Sequence, residues 1–427
     1  MEKYAPGDVE QRPCFDLVLR DARLLNGQSV DIAIAGDTIV AIGSISGVGT
    51  RELVLGGRVV LPGFVEAHTH LDKAMTVAQS RNNSGTLLEA MAVMGQVQRD
   101  FTVASVRERA RAMALRFVAA GTTTLRTHVD VKPALNLVAV EALLELREEL
   151  RPLLDMQLVV LTTPLSGHAG AANLALVREA LSMGVDAVGG CPIIDGDFET
   201  QIDTVFELAE LFGVPVDLHI DESDNPADFS LPYLAERTKA LGYQGRVVAG
   251  HCCSLSAVDE DSAKRAIDAV LDAGISVVTL PSANMYLQGR ADCGLVRRGL
   301  TRVRALLDAG VPVCCGTDNV QDPFNPFGRG DQLLVANLFA HAAHLGSPRE
   351  QVAAIDAITT VPAMSLGVQR YGLSAGAVAD LVVLDSTEPA TIIADVPPRR
   401  YVIKRGAVVA ETRTETIHPL VTLNQGV

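Results

Sequence analysis

The sequence of 427 residues lacks several features that would place it in a specialised class. It has no run of about 18 uncharged apolar residues, the length that a membrane span requires. Its first residues lack the basic and then apolar order of a secretory signal. Basic residues are outnumbered, with 36 Lys and Arg against 51 Asp and Glu, which gives a formal net charge of −15. Because such a surface repels phosphates and anionic lipid, we expect the protein to bind neither nucleic acid nor membranes. The missing span and signal lead us to expect a cytoplasmic protein.

The seven cysteines form no C-x-x-C pair, and four of them stand in two adjacent pairs, at 252–253 and 314–315. Adjacent cysteines rarely bond to each other, and zinc knuckles and disulfide frameworks need other spacings. We therefore interpret the thiols as small buried side chains. With 48% hydrophobic and 20% charged residues, the chain has the composition of a well-buried globular protein.

The pattern of apolar runs divides the chain into three segments. Residues 1–61 contain short β-type runs broken by turn residues, and the same texture returns in residues 373–427. Between them, residues 62–372 alternate β-rich runs with helical segments, which is the pattern of repeated βα units. We predict an α/β fold, with a (β/α)8 barrel of the TIM type in the central segment. The two ends are predicted to form one small composite β-sandwich domain.

Eight β-rich runs are the predicted strands of the barrel. They are residues 63–68, 122–129, 157–162, 186–190, 214–219, 246–251, 275–280 and 311–316. Several follow a turn that ends in glycine, as at Gly213 and Gly310, where glycine supplies the C-cap of the preceding helix. Eight such units in about 310 residues favour a closed barrel over an open doubly wound sheet.

Polar residues test the barrel prediction, because the active sites of such barrels lie at the C-terminal ends of the strands. Five of the nine histidines lie at or just past predicted strand ends, namely His68, His70, His128, His219 and His251. His68 and His70 are two residues apart, so their side chains point to the same face of the strand. Together with His219 and with Asp318, which follows the eighth strand, they form a donor set that suits a catalytic zinc or iron ion.

These residues stand in motifs that resemble those of the amidohydrolase superfamily. The motifs are LPGFVEAHTHLDK at 61–73, RTHVD at 126–130, HIDE at 219–222, GH at 250–251, LQGR at 287–290 and GTDN at 316–319. In order and strand position they are similar to the cytosine deaminase branch, which also includes N-isopropylammelide amidohydrolases. The resemblance implies a metal-dependent hydrolase that acts on non-peptide C–N bonds.

The resemblance also implies the ligands of one divalent metal ion per chain, zinc or iron. These are His68, His70, His219 and Asp318. Relatives with two metals usually carry a carboxylated lysine at the end of strand four, and residues 185–192 contain no lysine. We therefore expect a mononuclear site, with Cys191 as a core thiol rather than a ligand.

Three residues are implied as catalytic by the same resemblance. Glu222 would carry protons to the ring and to the leaving nitrogen, and Asp318 would accept a proton from the attacking water. His251 would orient the hydroxide or polarise the substrate. The alternatives are a solvent-facing carboxylate for Glu222, and an extra metal ligand or a core histidine for His251.

A second group of polar residues could orient the metal ligands from behind, as metal sites commonly require. Its members are His128, Asp130, Asp72 and Lys73. A packed barrel histidine is the alternative for His128, and a helix-start acid beside a solvated base is the alternative for Asp72 and Lys73. Gln288, in the loop after strand seven, either donates to a ring substituent or caps its loop.

Two positions depart from cytosine deaminases. Those enzymes carry a glutamine after strand three, where this chain has Thr163 in the sequence LTTPLSG, and they carry a second aspartate where it has Asn319. An asparagine amide donates and accepts hydrogen bonds, whereas a carboxylate only accepts them. We expect Asn319 to read a ring edge other than that of cytosine. Phe324 or Phe327 is expected to stack on the flat ring.

The combined prediction is a hydrolase that attacks a ring carbon of a pyrimidine-like, pterin-like or triazine-like heterocycle with metal-bound hydroxide and releases ammonia or an amine. A hydrolase that opens a cyclic amide is the alternative, and a non-catalytic structural relative is a remote one, because such relatives usually lose metal ligands. The cysteine-zinc signature of nucleoside deaminases is absent. The predicted partner is a small heterocyclic molecule, and the sequence leaves a homo-oligomer open.

Overall fold

The computed structural model describes residues 14–417, which fall into two compact units. One unit is Pro62–Gly372. The other consists of the described parts of Met1–Leu61 and Leu373–Val427.

The unit Pro62–Gly372 is a barrel of eight parallel strands, which confirms the predicted fold. The strands in chain order are β1 (Phe64–Thr69), β2 (Thr122–Asp130), β3 (Asp155–Leu161), β4 (Ala187–Val188), β5 (Val216–Ile220), β6 (Val247–His251), β7 (Ser276–Thr279) and β8 (Val313–Cys315). Each strand pairs with the next, and a bridge between Thr69 and Asp318 joins the last to the first. Because helices cover the barrel, its strands are buried on both faces and read as apolar runs.

Thirteen helices accompany the strands of the barrel unit. They are α1 (Leu87–Val97), α2 (Val103–Ala119), α3 (Val138–Leu150), α4 (Gly167–Ser182), α5 (Pro192–Asp195), α6 (Phe198–Phe212), α7 (Leu231–Ala240), α8 (Glu260–Asp272), α9 (Pro281–Leu287), α10 (Val303–Ala309), α11 (Gln332–Ala342), α12 (Pro348–Asp356) and α13 (Thr360–Ser365). Short 3-10 turns cover Gln98–Asp100 and Cys253–Ser256. Gly213 and Gly310 cap their helices with φ values of 69° and 86°, as the glycine pattern predicts.

The second unit contains two four-stranded sheets. In spatial order the first sheet is Thr38–Gly43, Ser29–Ala35, Cys14–Arg23 and Val48–Val54, and the second is Ala407–Glu411, Arg399–Lys404, Leu381–Leu384 and Val60–Pro62. A 3-10 turn at Pro389–Thr391 and a short helix, α14 (Ile392–Asp395), complete the unit. Ile32, Ile34 and Leu381 belong to one buried cluster, so the chain ends share a core as predicted.

Two further observations bear on the sequence predictions. Within residues 14–417, no helix is long and apolar enough to cross a membrane. The described thiols are free, and five of them are buried, namely Cys191, Cys252, Cys253, Cys314 and Cys315. Cys293 is exposed, because it lies in the surface loop that follows α9, so the interpretation as a buried side chain is wrong at that position.

Candidate functional site

The C-terminal ends of the strands surround a cavity of about 830 Å³, its open mouth included. Its polar wall comes from strand ends and the loops after them, and includes His70, Lys73, His219, Glu222, His251, Asp318 and Asn319. Its apolar wall comes from α1 and neighbouring segments, and includes Leu87, Met91, Met94, Val131, Leu161 and Ile194. The cavity therefore offers a polar reacting side and a hydrocarbon side.

Four buried donors converge on one point of the polar wall. Donor atoms of His68, His70, His219 and Asp318 all lie within 4.8 Å of one another. Oδ1 of Asp318 is 3.6 Å from Nε2 of His68 and 3.3 Å from Nε2 of His70. Nε2 of His219 lies 3.2 Å from Nε2 of His70. The residues that were predicted as metal ligands are thus brought together from β1, from β5 and from the segment after β8.

The chemistry of this donor set fits a divalent cation. Both carboxylate oxygens of Asp318 and both ring nitrogens of His68 are buried without a hydrogen-bond partner among the described residues. Such orphaned polar atoms are costly, and a cation between them would satisfy several at once. Burial, and then the nearby His128 and His219, lower the pKa of His68 well below its usual range, so the ring is neutral at neutral pH. Neutral imidazole is the form that binds metals.

Glu222 and His251 lie beside the four donors. Oε1 of Glu222 is 3.6 Å from Nδ1 of His251, and both residues line the cavity. Burial, and then the charge of Asp318, raise the pKa of Glu222 well above its usual range. Both causes favour the protonated form of the Glu222 carboxyl.

Asn284, on α9, orients His251 and was not recognised from the sequence. Its amide nitrogen lies 3.0 Å from Nδ1 of His251. When Nδ1 accepts this hydrogen bond, the proton of the neutral ring sits on Nε2. Nε2 has no hydrogen-bond partner within the described chain and is therefore the atom available for a substrate or a water molecule.

Lys73 lies behind His70, together with the two predicted carboxylates. Its Nζ is 3.1 Å from Nδ1 of His70, 3.0 Å from Oδ1 of Asp130 and 3.5 Å from Oδ2 of Asp72. Burial would lower the pKa of Lys73, but the charges of Asp130 and Asp72 outweigh it and raise that pKa. Gln98, which the sequence did not reveal, donates to the other oxygen of Asp130 at 2.8 Å. The three predicted residues thus form one buried ionic cluster that fixes the ring of His70.

His128 occupies a deeper position, inside the barrel. Its ring centroid lies 4.0 Å from that of His68, and its Nε2 is 3.6 Å from Oδ1 of Asp217. Asp217 in turn forms a buried ion pair with Arg126 at 2.8 Å. His128 packs against the rings of His68, His70 and His219 and does not itself line the cavity.

Glu66 is a buried carboxyl that the sequence analysis did not single out. It accepts hydrogen bonds from the backbone N–H of His68 at 2.9 Å and of Thr317 at 3.2 Å, and from the side-chain amide of Gln332. It therefore links β1 to the segment that carries Asp318. Period-two alternation could have found it, because Glu66, His68 and His70 share one face of the chain.

Four non-glycine residues near the site have a left-handed backbone. Their φ values are 53° for Asp221, 65° for His251, 51° for Cys252 and 59° for Asp318. This conformation is unfavourable for residues with a Cβ, and it persists where the surrounding structure imposes it. At His251 and Asp318 it turns the chain sharply at the strand end and keeps the side chain in the cavity wall.

The predicted substrate contacts divide into two groups. Thr163, Asn319 and Phe324 line the cavity. Phe327 does not, because the loop turns back after Phe324 and leaves the Phe327 ring 79% exposed and packed edge-on against Tyr286. Of the two aromatic residues expected as alternatives, the structure thus places Phe324 at the cavity and Phe327 outside it.

Gln288 does not line the cavity either. Its side-chain amide donates to the backbone carbonyl of Glu222 at 3.4 Å, so it braces the loop that carries Glu222. This contact corresponds to the alternative role of Gln288, that of a loop contact.

Comparisons with known proteins place the chain among enzymes of one family. The model of the Amidohydrolase family matches residues 101–410. N-isopropylammelide isopropyl amidohydrolase of Pseudomonas sp. (strain ADP) is 33% identical over 412 residues, which cover 93% of this chain and 98% of that protein. Pterin deaminase of Rhizobium rhizogenes (strain K84 / ATCC BAA-868) is 33% identical over 398 residues, covering 90% of each.

A solved structure gives the same picture for the fold. It is the 5-methylcytosine deaminase from Klebsiella pneumoniae liganded with 5-fluorocytosine. It superposes with a TM-score of 0.89 at 29% sequence identity, covering 95% of this chain and 100% of that chain. The similarity therefore extends over both compact units.

Proposed function

The chain belongs to the amidohydrolase family, and on this premise we propose that it hydrolyses a C–N bond at a ring carbon of a nitrogen heterocycle and releases ammonia or an amine. The observation that carries the proposal is the convergence of three neutral imidazoles and the Asp318 carboxylate beside Glu222 and His251. In this proposal residues 62–372 are the catalytic domain. The partner is a small heterocyclic molecule in the cytoplasm, and the net charge of −15 disfavours nucleic acid.

The cofactor in this proposal is a single zinc or iron ion held by His68, His70, His219 and Asp318. Such an ion lowers the pKa of a bound water molecule toward about 7 and so supplies a nucleophile at neutral pH. We propose one ion because the segment after β4 offers Cys191 and no lysine. Burial raises the pKa of the Cys191 thiol well above its usual range, which disfavours the thiolate that a metal requires.

Proton transfer is assigned to the two carboxyls and to His251. Asp318 accepts the proton of the attacking water, and Glu222, whose pKa is raised, delivers a proton to the ring or to the leaving nitrogen. His251, held by Asn284 with its Nε2 proton toward the cavity, donates to the oxygen or ring atom that gains negative charge. The geometry suits this division because all three residues line the same cavity.

The substrate in this proposal is a pyrimidine-like, pterin-like or triazine-like ring. Two relatives are named for N-isopropylammelide and for pterin, which both carry a nitrogen substituent on a ring carbon. The wall formed by Leu87, Met91 and Met94 supports a substrate with a hydrocarbon group or a second ring. Cytosine is expected to be a poor substrate, because Thr163 cannot pair with a pyrimidine amide as a glutamine does.

The test is a screen of the purified protein, supplied with zinc or iron, for ammonia and amine release. The compounds are cytosine, isocytosine, pterin, guanine and aminotriazines that include N-isopropylammelide. A variant with both His68→Ala and His70→Ala, purified in the same way, controls for contaminating hydrolases. We expect at least one compound to release ammonia or an amine. The kcat/KM for cytosine should be at least tenfold below that of the best compound. This threshold is modest, because mismatched polar groups can lower kcat/KM by ~10⁴-fold. A ring-opened product that keeps all its nitrogen, or no turnover of any compound, would contradict the proposal.

A further inference from the structure

Asn319, the residue after the metal-site aspartate, forms a buried pair with Asp322. Its amide nitrogen Nδ2 lies 2.6 Å from Oδ2 of Asp322 and donates to it. Asn319 is 5% exposed and lines the cavity, whereas Asp322 is fully buried behind it. The donor half of the Asn319 amide is therefore occupied inside the protein.

Asp322 is itself held in place by the turn that follows it. Its other oxygen, Oδ1, accepts from the backbone N–H of Phe324 at 2.9 Å and of Asn325 at 3.1 Å. The loop is also packed tightly, since a Cβ at Gly328 would lie 2.1 Å from the carbonyl oxygen of Asn319. Burial raises the pKa of Asp322 to about 7, so at pH 8 its carboxylate is ionised and presents one fixed acceptor to Asn319.

This contact decides which end of the Asn319 amide faces a ligand. The oxygen and nitrogen of an asparagine amide have nearly the same shape, so the cavity alone would not select between them. With Nδ2 bound to Asp322, Oδ1 is the end of the Asn319 amide that is left for a ligand. The expectation that Asn319 both donates to and accepts from a ring is therefore corrected: one acceptor is left.

We propose that Asp322 is a positioning residue that sets Asn319 as a hydrogen-bond acceptor, so that the substrate presents an N–H group of its ring or of an exocyclic amine to Asn319. The inference rests on the proposed function, because it concerns the ring that this site would bind. Unlike the carboxylate of an aspartate at position 319, the amide oxygen of Asn319 is neutral. It would therefore compensate less of the charge of a bound cation.

The experiment reverses the polarity of the pair. In Asp322→Asn, the new Oδ1 can keep both backbone N–H donors, and its Nδ2 then faces Asn319. Asn319 has to turn its amide and present Nδ2 to the ligand. We expect kcat/KM for the best compound of the screen to fall by at least ~10²-fold at pH 8, since a buried donor would meet a donor. The double variant Asn319→Asp with Asp322→Asn restores an acceptor at 319 and should recover kcat/KM to within about tenfold of the parent.

Ligand binding gives a second readout that needs no turnover. The probes are cyanuric acid, which carries three ring N–H groups, and its N-trimethylated form, which presents only acceptors. In the parent and in the double variant, we expect cyanuric acid to raise Tm more than the methylated ring does. In Asp322→Asn, we expect this preference to disappear. Asp259→Asn, an exposed N-cap position of α8, is the matched control for loss of a carboxylate and should keep the parent's preference.

Each outcome separates the inference from the proposed function. Asp322→Asn with unchanged kcat/KM and unchanged ligand preference overturns the inference, as does a double variant that folds but is not rescued. If Asp322→Asn fails to fold, the double variant decides alone, because a merely structural aspartate would not be replaced by moving the carboxylate to 319. A parent enzyme that turns over no compound overturns the proposed function, and the preference between the two rings then still tests the inference.

Discussion

Glu222 and Asp318 are buried carboxyls whose donor atoms lie within 4.8 Å of each other in a group with His251. Burial raises the pKa of both. A cation held by Asp318 would favour the ionised form of that carboxyl, which leaves Glu222 as the more readily protonated of the two. This asymmetry supports the proposed acid role of Glu222 and the proposed ligand role of Asp318.

The change Glu222→Gln tests that assignment at the scale of one residue. Glutamine keeps the shape of the side chain and cannot carry a proton between water and substrate. We expect kcat to fall by about 10²-fold or more while the metal content stays near that of the parent. Steady-state kinetics with the best compound of the screen and elemental analysis are the measurements.

Glu260→Gln, at an exposed position of α8, is the control for the loss of a carboxylate. It should leave both quantities unchanged. Loss of metal together with activity in Glu222→Gln would make Glu222 a ligand or a structural group, and an unchanged kcat would remove it from the mechanism.

Lys73 is a second residue whose surroundings make a sharp prediction. It is buried between His70, Asp130 and Asp72, so its removal would leave the buried carboxylate of Asp72 and the half-buried one of Asp130 without this counter-charge. We expect Lys73→Met to lower the free energy of unfolding by about 3–5 kcal/mol, the scale of a broken buried ion pair. Urea unfolding monitored by circular dichroism measures it.

A double variant isolates the electrostatic part of this effect. Lys73→Met with Asp130→Asn removes one of the stranded charges and should recover part of the lost stability. Lys264→Met, which breaks an exposed i,i+4 pair with Asp268, is the surface control and should change little. A loss in Lys73→Met no larger than in this control would show that the buried cluster contributes no stability.

The same residues show what the sequence could reveal at this scale. His68, His70, His219 and Asp318 stand at strand ends in recognisable motifs, so both their existence and their convergence could be predicted. Asp322 and Asn284 stand in loop or helix segments with no such spacing. Their contacts with Asn319 and His251 form only when the loops fold back, which local sequence patterns do not encode.

At the scale of secondary structure, burial decided which strands could be recognised. The barrel strands are covered on both faces and therefore appear as continuous apolar runs, whose predicted bounds differ from the observed ones by up to two residues. Val48–Val54 was not predicted, because this edge strand is largely exposed and carries Gly, Thr, Arg and Glu. Ala407–Glu411 was missed for a similar reason, since it lies at the edge of its sheet and is half-exposed.

Strand β1 shows how an element distributes roles along its length. Its period of two places Glu66, His68 and, just past its end, His70 on one face, which points into the barrel. Glu66 ties the backbone of β1 to Thr317, while the two histidines reach the donor cluster. Strand β1 therefore carries one candidate ligand, leads directly into the second, and carries the carboxyl that binds the backbone next to Asp318.

At the scale of the whole barrel, the candidate metal ligands come from places far apart in the sequence. His68 belongs to β1 and His70 directly follows it, His219 belongs to β5 on the opposite side, and Asp318 to the segment after β8. A bridge between Thr69 and Asp318, with the backbone N–H of Asp318 donating to His68 at 2.9 Å, closes the barrel at the same level. A cation bound by all four side chains would thus cross-link the two sides of the barrel.

This cross-link predicts that metal removal lowers the stability of the folded chain. A cation that binds only the native state adds about 2.7 kcal/mol when its free concentration is a hundred times Kd. We therefore expect chelation to lower Tm and added zinc or iron to restore it. The titration should end at one equivalent per chain, because β4 supplies no lysine for a second ion. His219→Ala, which removes the ligand opposite β1, should abolish most of the metal-dependent rise in Tm, whereas Asp259→Asn should not. A titration endpoint of two ions per active chain would contradict the mononuclear site, and a Tm that is insensitive to chelation would mean that these four residues do not hold a cation.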